Sequence, residues 1–224
     1  NYLPILIFIL GISMSQYRAK ATPAQKIILL ILILIMVSFG IWILISNYEP
    51  DKIESGIQVQ ATPVQEKITE DLTFQKDEFT IIPLASFEIK GKILSKKRYR
   101  LGKESDLSPF DLALGWGKMS DEAVLERIEI WQSGRWYRWK TKKYPIPRRE
   151  IEKNSANMHI VPANKEIKKE VGRADEWDVI ELKGYLIKVI AEDDWIWKSS
   201  LTRNDTGDNA CELIWVEEFA VISE

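Results

Sequence analysis

The stretch Ile27 to Ile45 reads IILLILILIMVSFGIWILI, nineteen residues without a charge and with only Ser38 and Gly40 interrupting the apolar run. At about 1.5 Å per residue, a helix of that length spans roughly 28 Å, the hydrocarbon thickness of a bilayer, and a helix satisfies its own backbone there. This run therefore predicts a transmembrane helix over 27–46 and makes everything after it a tethered domain.

Outward from the helix, the flanks differ in charge. Segment 15–26 carries Arg18, Lys20 and Lys26 and no acid, whereas Asn47 to Gly56 carries Glu49, Asp51 and Glu54 against Lys52. A basic flank stays in the cytoplasm, so 15–26 reads as a cytoplasmic loop and the C-terminal part as periplasmic, on a bacterial inner membrane. Residues 1–14 hold a second apolar run, Tyr2 to Met14, with Pro4 inside it. It is too short to span alone and reads as the end of a first helix, which would make the anchor a two-helix hairpin. A cleaved signal peptide is the competing reading. It is disfavoured because the apolar core is too long and no small-residue cleavage site follows Ile45. Residues 47–78, polar and holding Pro50 and Pro63, read as a linker, and 79–224 as one β-rich domain.

Beyond the helix stand 28 basic and 33 acidic residues, a formal charge of −5. A nucleic-acid surface is normally net basic, because phosphate neutralisation supplies most of its affinity, so that class of partner is excluded. The basic runs Lys96 to Arg100 and Arg138 to Lys143 fit strand faces with aromatics inward and cations in water. A single cysteine makes no intramolecular disulfide, which leaves the apolar core to hold the fold. Eight of the nine tryptophans lie in the domain to fill it.

Within the domain, Phe87 to Leu94 and Trp177 to Ile190 alternate apolar and polar residues across Gly91 and Gly184, the pattern of half-buried strands bent at a glycine. Ser108, Pro109 and Asp111 compose a helix start that Gly115 and Gly117 stop. A short helix begins near Ser120, and Ile128 to Gln132 and Trp136 to Lys140 flank Ser133, Gly134 and Arg135 as a hairpin. YPIPRRE reads as extended surface chain, Ile160 and Val161 as a short strand, and 164–171 as a helix. Strands over 195–198 and 212–222 complete the set. The fold class is then an N-terminal transmembrane helix followed by a mainly β domain, a small OB-like barrel or a sandwich, with two or three short helices.

Four runs, SPFDLALGWGKMSD from Ser108, SANMHIVPA from Ser155, GYLIKV from Gly184 and SSLTRNDTGDNACELIWVE from Ser199, resemble an uncharacterised family of membrane-anchored proteobacterial proteins. The resemblance covers most of the chain after Phe87. It implies a bacterial, anchored, single-domain protein and carries no activity and no site residue.

No residue pattern names a reaction. His159 is the only histidine, and catalytic zinc sites usually take two or three imidazoles, so no metal and no cofactor is expected. A Cys211–His159 nucleophilic pair can be written down, yet Cys211, Leu213, Trp215 and Phe219 alternate as one strand face, which makes Cys211 a small core residue. Asp205-Thr206-Gly207 spells the aspartic-protease signature, but it sits between Asn204 and Asp208, in turn chemistry. Asp193, Asp194, Asp205 and Asp208 fit no defined calcium loop, and Gly115 to Ser120 lacks phosphate-loop spacing. Ser155, Asn157, His159, Ser199, Ser200, Thr202 and Arg203 would line one end of a barrel as a ligand site if their segments meet.

The expected function is non-enzymatic: a membrane-anchored periplasmic binding or assembly module, an accessory subunit of a larger membrane complex, with Trp116, Trp136 and Trp139 at its interface. The rivals are a tethered hydrolase using His159 as base, with Arg203 as an anion clamp, and a binder of envelope glycans or small ligands. The expected partners are the lipid bilayer and other subunits.

Overall fold

A computed structural model describes residues 22–46, 56–202 and 211–222. Residues 1–21, Arg203 and Asp205 lie outside these, so the first-helix, anion-clamp and signature-aspartate readings fall beyond the described chain. The contacts divide the chain into two compact units, Asn1–Lys52 and Ile53–Glu224.

The first unit contains α1 (Pro23–Ser46), twenty-four residues with no acid in its first turn and no base in its last. Its stretch Pro23–Ile43 is long and apolar enough to cross a membrane, and none of it is buried by protein. A helix apolar on every side has no solvated face, which is the composition lipid requires.

The second unit is mainly β, built on a mixed eight-stranded sheet and a separate two-stranded ribbon. Two short strands, β1 (Val64–Lys67) and β2 (Phe74–Lys76), both pair antiparallel with the twenty-residue β3 (Phe79–Arg98). They correct the linker expectation for 47–78. Val59, also in that stretch, is buried in the core, its N–H donating to Ser120 Oγ at 2.9 Å and its carbonyl accepting from Gly117 N. Sequence composition alone missed this because strands of three or four residues show too little period to register.

After β3 come α2 (Lys103–Leu107) and β4 (Phe110–Gly115). The helix expected from Ser108 is thus a strand: the true helix ends before it, and Phe110, Leu112 and Leu114 alternate into the core. A long excursion follows. It runs through a 3-10 turn (Gly117–Ser120), α3 (Glu122–Leu125) capped by the Asp121 side chain, the ribbon β5 (Glu129–Ser133) with β6 (Trp136–Lys140), and α4 (Arg148–Lys153). The α4 helix corrects the reading of YPIPRRE as wholly extended, since Pro147 opens the helix at its N-cap and Ile146 is buried.

The chain then returns as β7 (Ser155–Pro162), α5 (Lys165–Arg173), β8 (Val179–Ala191), β9 (Ile196–Lys198) and β10 (Glu212–Val221). β4 pairs antiparallel with β3 and β7, β10 runs parallel to β7 and antiparallel to β8, and β8 pairs antiparallel with both β9 and β3, the last from Phe79 to Lys92. The domain holds four α-helices and one 3-10 turn among the described residues, more than the two or three expected.

Two bulges decide which side chains meet. Between Pro83 and Ala85 one extra residue on β3 flips the alternation, so Phe79 and Ile81 join one cluster while Ala85, Phe87 and Ile89 join another. A shift between Val216 and Glu218 on β10 likewise sends Phe219 to the face of Ile214 and Val216, opposite Leu213 and Trp215. The Cys211-to-Phe219 face read from simple alternation therefore does not form. The main cluster lies among β3, β4, β7, β8 and β10, and Ile167 and Val171 of α5 complete it. A third cluster, Ala113, Met119, Leu125, Ile128, Ile146 and Ile151, lies between β4 and the excursion.

Candidate functional site

The ribbon β5–β6 turns on Gly134 and Arg135, both in the left-handed region with φ of 58° and 63°. That is the two-residue turn whose twist matches a hairpin. Ile130, Tyr137 and Trp139 face inward onto the third cluster, and Arg138 and Lys140 face away, as the alternating aromatic and basic residues predict.

The inward face is fastened to β7 by polar pairs. Tyr137 Oη donates to Ser155 Oγ at 3.1 Å, Gln132 Nε2 donates to Asn157 Oδ1 at 2.6 Å, and Asn157 Nδ2 donates to the carbonyl of Arg135 at 3.2 Å. Burial pushes the Tyr137 phenol up to about 12, because the ionised form has lost its water.

At the tip, Arg135 closes a buried network. Its Nη1 meets Asp111 Oδ1 at 2.9 Å, its Nε meets Glu104 at 3.0 Å, and its Nη2 donates to the Ser108 carbonyl and to Ser105 Oγ. The Tyr99 ring lies 4.2 Å from the guanidinium, and Tyr99 Oη accepts from the Arg135 N–H. His159, 4% exposed, places Nδ1 2.9 Å from the same Asp111 oxygen, with its ring 4.8 Å from that of Trp197. Asp111 is fully buried, and its Oδ2 has no hydrogen-bond partner among the described residues.

An orienting carboxylate on a histidine is half of an acyl-transfer constellation. The other half is missing from the described geometry: among the described residues no hydroxyl or thiol is hydrogen-bonded to the His159 ring, which is buried beside Trp197. Cys211 sits elsewhere, half-buried, with its sulfur 3.9 Å from Asn157 Nδ2. This corrects the core assignment of Cys211, which precedes β10 rather than lying within its face.

Beside the ribbon lies a cleft of about 590 Å³. Trp116, Trp131, Trp136, Tyr137, Trp139 and Tyr144 line it, together with Ser155 and Asn157 of β7, Cys211 just before β10, and Arg138, Lys140, Arg148 and Lys153 from the ribbon and α4. The structure thus gathers Ser155, Asn157 and the three expected interface tryptophans at one place. Their exposures differ: Trp136 is 37% exposed, Trp139 half-buried, and Trp116, in the connection after β4, only 3% exposed and part of the main core. Ser199 and Ser200 approach through backbone bonds, Ser200 N–H donating to the Cys211 carbonyl and Ser199 Oγ accepting from Leu213 N, but both are buried and neither lines the cleft. Trp131, Tyr144 and Arg148 were missed as site residues. The signal that could have found them is their place beside the expected hairpin, not any motif. Among the described residues, no group of three His, Cys, Asp or Glu side chains comes together to hold a metal ion.

Fold and cleft together define an apolar helix followed by a mainly β domain that bears an aromatic, cationic groove. Comparison with models of protein families, with curated proteins and with solved structures gives no match to the chain.

Proposed function

We propose that the chain is a membrane-anchored binding module, an accessory or assembly subunit of a larger membrane complex, and that the cleft beside β6 takes up its partner. The cleft is the observation that carries this reading. Six aromatic rings around convergent Asn, Ser and Arg groups have the makeup of a binding site, and Trp, Tyr and Arg are the side chains that dominate interface energetics. The anchoring part rests on α1, and the periplasmic side on the basic flank before it.

The same reading takes the domain as an OB-like barrel. It is supported by the run of pairings β3–β4–β7–β10–β8 and back to β3, by the parallel step between β7 and β10, and by α5 between β7 and β8.

The test is to extract the full chain from native membranes in mild detergent and identify what copurifies, for the wild type and for Trp131→Ala and Trp136→Ala. Both side chains are exposed, so the fold should survive their loss. A fixed set of larger subunits that both variants shed is the expected result. A wild type that migrates alone, or variants that keep every subunit, would overturn the proposal. Binding of an envelope glycan by a chain that migrates alone would replace it with the small-ligand reading.

A further inference from the structure

β6 has a partner on one side only. The ribbon is two-stranded, so the edge of β6 away from β5 pairs with no other strand among the described residues. Ser133 and Trp136 flank the two-residue turn as the hydrogen-bonded pair, and alternation from there turns the N–H and C=O groups of Tyr137 and Trp139 away from β5.

This free edge borders the cleft. Five successive residues from Tyr137 to Thr141 line it, with side chains from both faces of the strand, and two faces of one strand meet only at its edge. Across the cleft, the start of β7 has no β10 partner among the described residues. Ser155, Ala156 and Asn157 of β7 lie before the first residue that β10 pairs, since Glu212 aligns with Met158.

Charge narrows the occupant. Four cations, Arg138, Lys140, Arg148 and Lys153, line the cleft against two carboxylates, Glu152 and Glu212, in a domain whose net charge is negative. Among the described residues, neither Arg138 nor Lys153 has an ion-pair partner. Basic residues on an exposed edge ordinarily serve to repel other strands. Here the cations point to solvent while Tyr137 and Trp139 turn inward, which leaves the backbone edge itself open. Cations at that edge also oppose pairing with a second copy of β6, whose sequence WYRWK is equally basic, and favour an acidic strand.

We infer that the cleft binds an extended, acidic peptide segment of a partner protein, which adds as a third strand along the free edge of β6. Main-chain hydrogen bonds to Tyr137 and Trp139 hold the segment, its carboxylates lie on the strand face that carries Arg138 and Lys140 beside Trp136, and its alternate side chains lie on the face of Tyr137, Trp139 and the neighbouring Tyr144. This rests on the binding-module reading and names the chemistry of its partner.

The test uses the full chain in detergent micelles and a fluorescein-labelled heptapeptide of alternating Val and Glu, read by anisotropy. Two derivatives are N-methylated, one at every Val and one at every Glu. A strand turns these two sets of amides to opposite edges, so pairing predicts that one derivative loses binding at least tenfold and the other keeps it. Arg138→Glu with Lys140→Glu should weaken the parent peptide at least tenfold, and a Val/Lys peptide should not bind. Equal binding of the two methylated peptides, no binding of the parent, or preferential binding of polygalacturonate would each overturn the inference. If no peptide binds while Trp136→Ala still sheds copurifying subunits, the binding-module reading stands and the strand-addition inference alone falls.

Discussion

Arg135 occupies a backbone conformation that costs an L-residue about 1–2 kcal/mol, and its side chain offsets that cost by reaching Asp111, Glu104, Ser105 and Ser108 at once. Removing it leaves the fully buried Asp111 with His159 as a remaining polar contact, and breaking a buried pair from one side typically costs about 3–5 kcal/mol. Arg135→Ala is therefore expected to lower unfolding stability by that amount in a urea titration, and Arg135→Lys to recover only part, because an ammonium lacks the planar fork. Tyr137 makes a pH-dependent prediction. Its folded pKa lies above the unfolded value near 10, so its contribution is complete below pH 10 and is lost as pH rises from 10 toward 12, where the unfolded chain has released a proton that the folded chain keeps. Denaturation at pH 9 and pH 11.5 should show a larger loss in the wild type than in Tyr137→Phe, where the half-buried Tyr99 still contributes, and Tyr137→Phe itself loses about 1 kcal/mol at neutral pH with its bond to Ser155. At this scale the sequence was a partial guide. It marked Ser155, Asn157 and His159 as polar residues that would line one end of a barrel. It could not show that His159 is shut away beside Asp111, since the partner lies forty-eight positions earlier and arrives only through strand pairing.

Among the elements, period-two segments were legible and bulged ones were not. The β5–β6 hairpin and β8 appear where alternation and turn residues put them, because both faces of those stretches keep one register for five residues or more, whereas β10 lies where a strand reads but its bulge breaks the expected face. β3 reads as eight residues but runs for twenty, its first half disguised by Pro83 and by the bulge that follows. Two glycines that look alike in sequence are expected to part company on substitution. A methyl at Gly184 would lie 1.9 Å from the Trp215 carbonyl oxygen, inside the β8–β10 pairing, whereas at Gly91 the nearest atom is 3.4 Å away. Gly184→Ala should lower the thermal midpoint sharply or prevent folding, with a cost above the roughly 1–3 kcal/mol of ordinary overpacking. Gly91→Ala should shift stability by less than about 1 kcal/mol, the difference being read by parallel thermal melts.

For the molecule as a whole, the division into an apolar helix and a β domain was plain from composition, since no soluble surface offers nineteen uncharged residues in a row. The start of the second unit was not plain, because the signals that fix Val59 and β1 lie in their partners Ser120 and β3 rather than in their own residues. The charge asymmetry around α1 predicts that protease added to intact spheroplasts will digest the β domain and leave a membrane-embedded remnant; protection until lysis would reverse the assigned side. One feature of the sheet bears on biogenesis. β10, the last strand among the described residues, lies in the interior of the sheet, parallel to β7 on one side and antiparallel to β8 on the other. β7 and β8 cannot be joined on that side until residues 212–221 have been synthesised, so this part of the sheet is the last of the described pairings to form. Truncation before residue 212 should therefore leave facing edges of β7 and β8 bare and yield a chain that proteolysis clears.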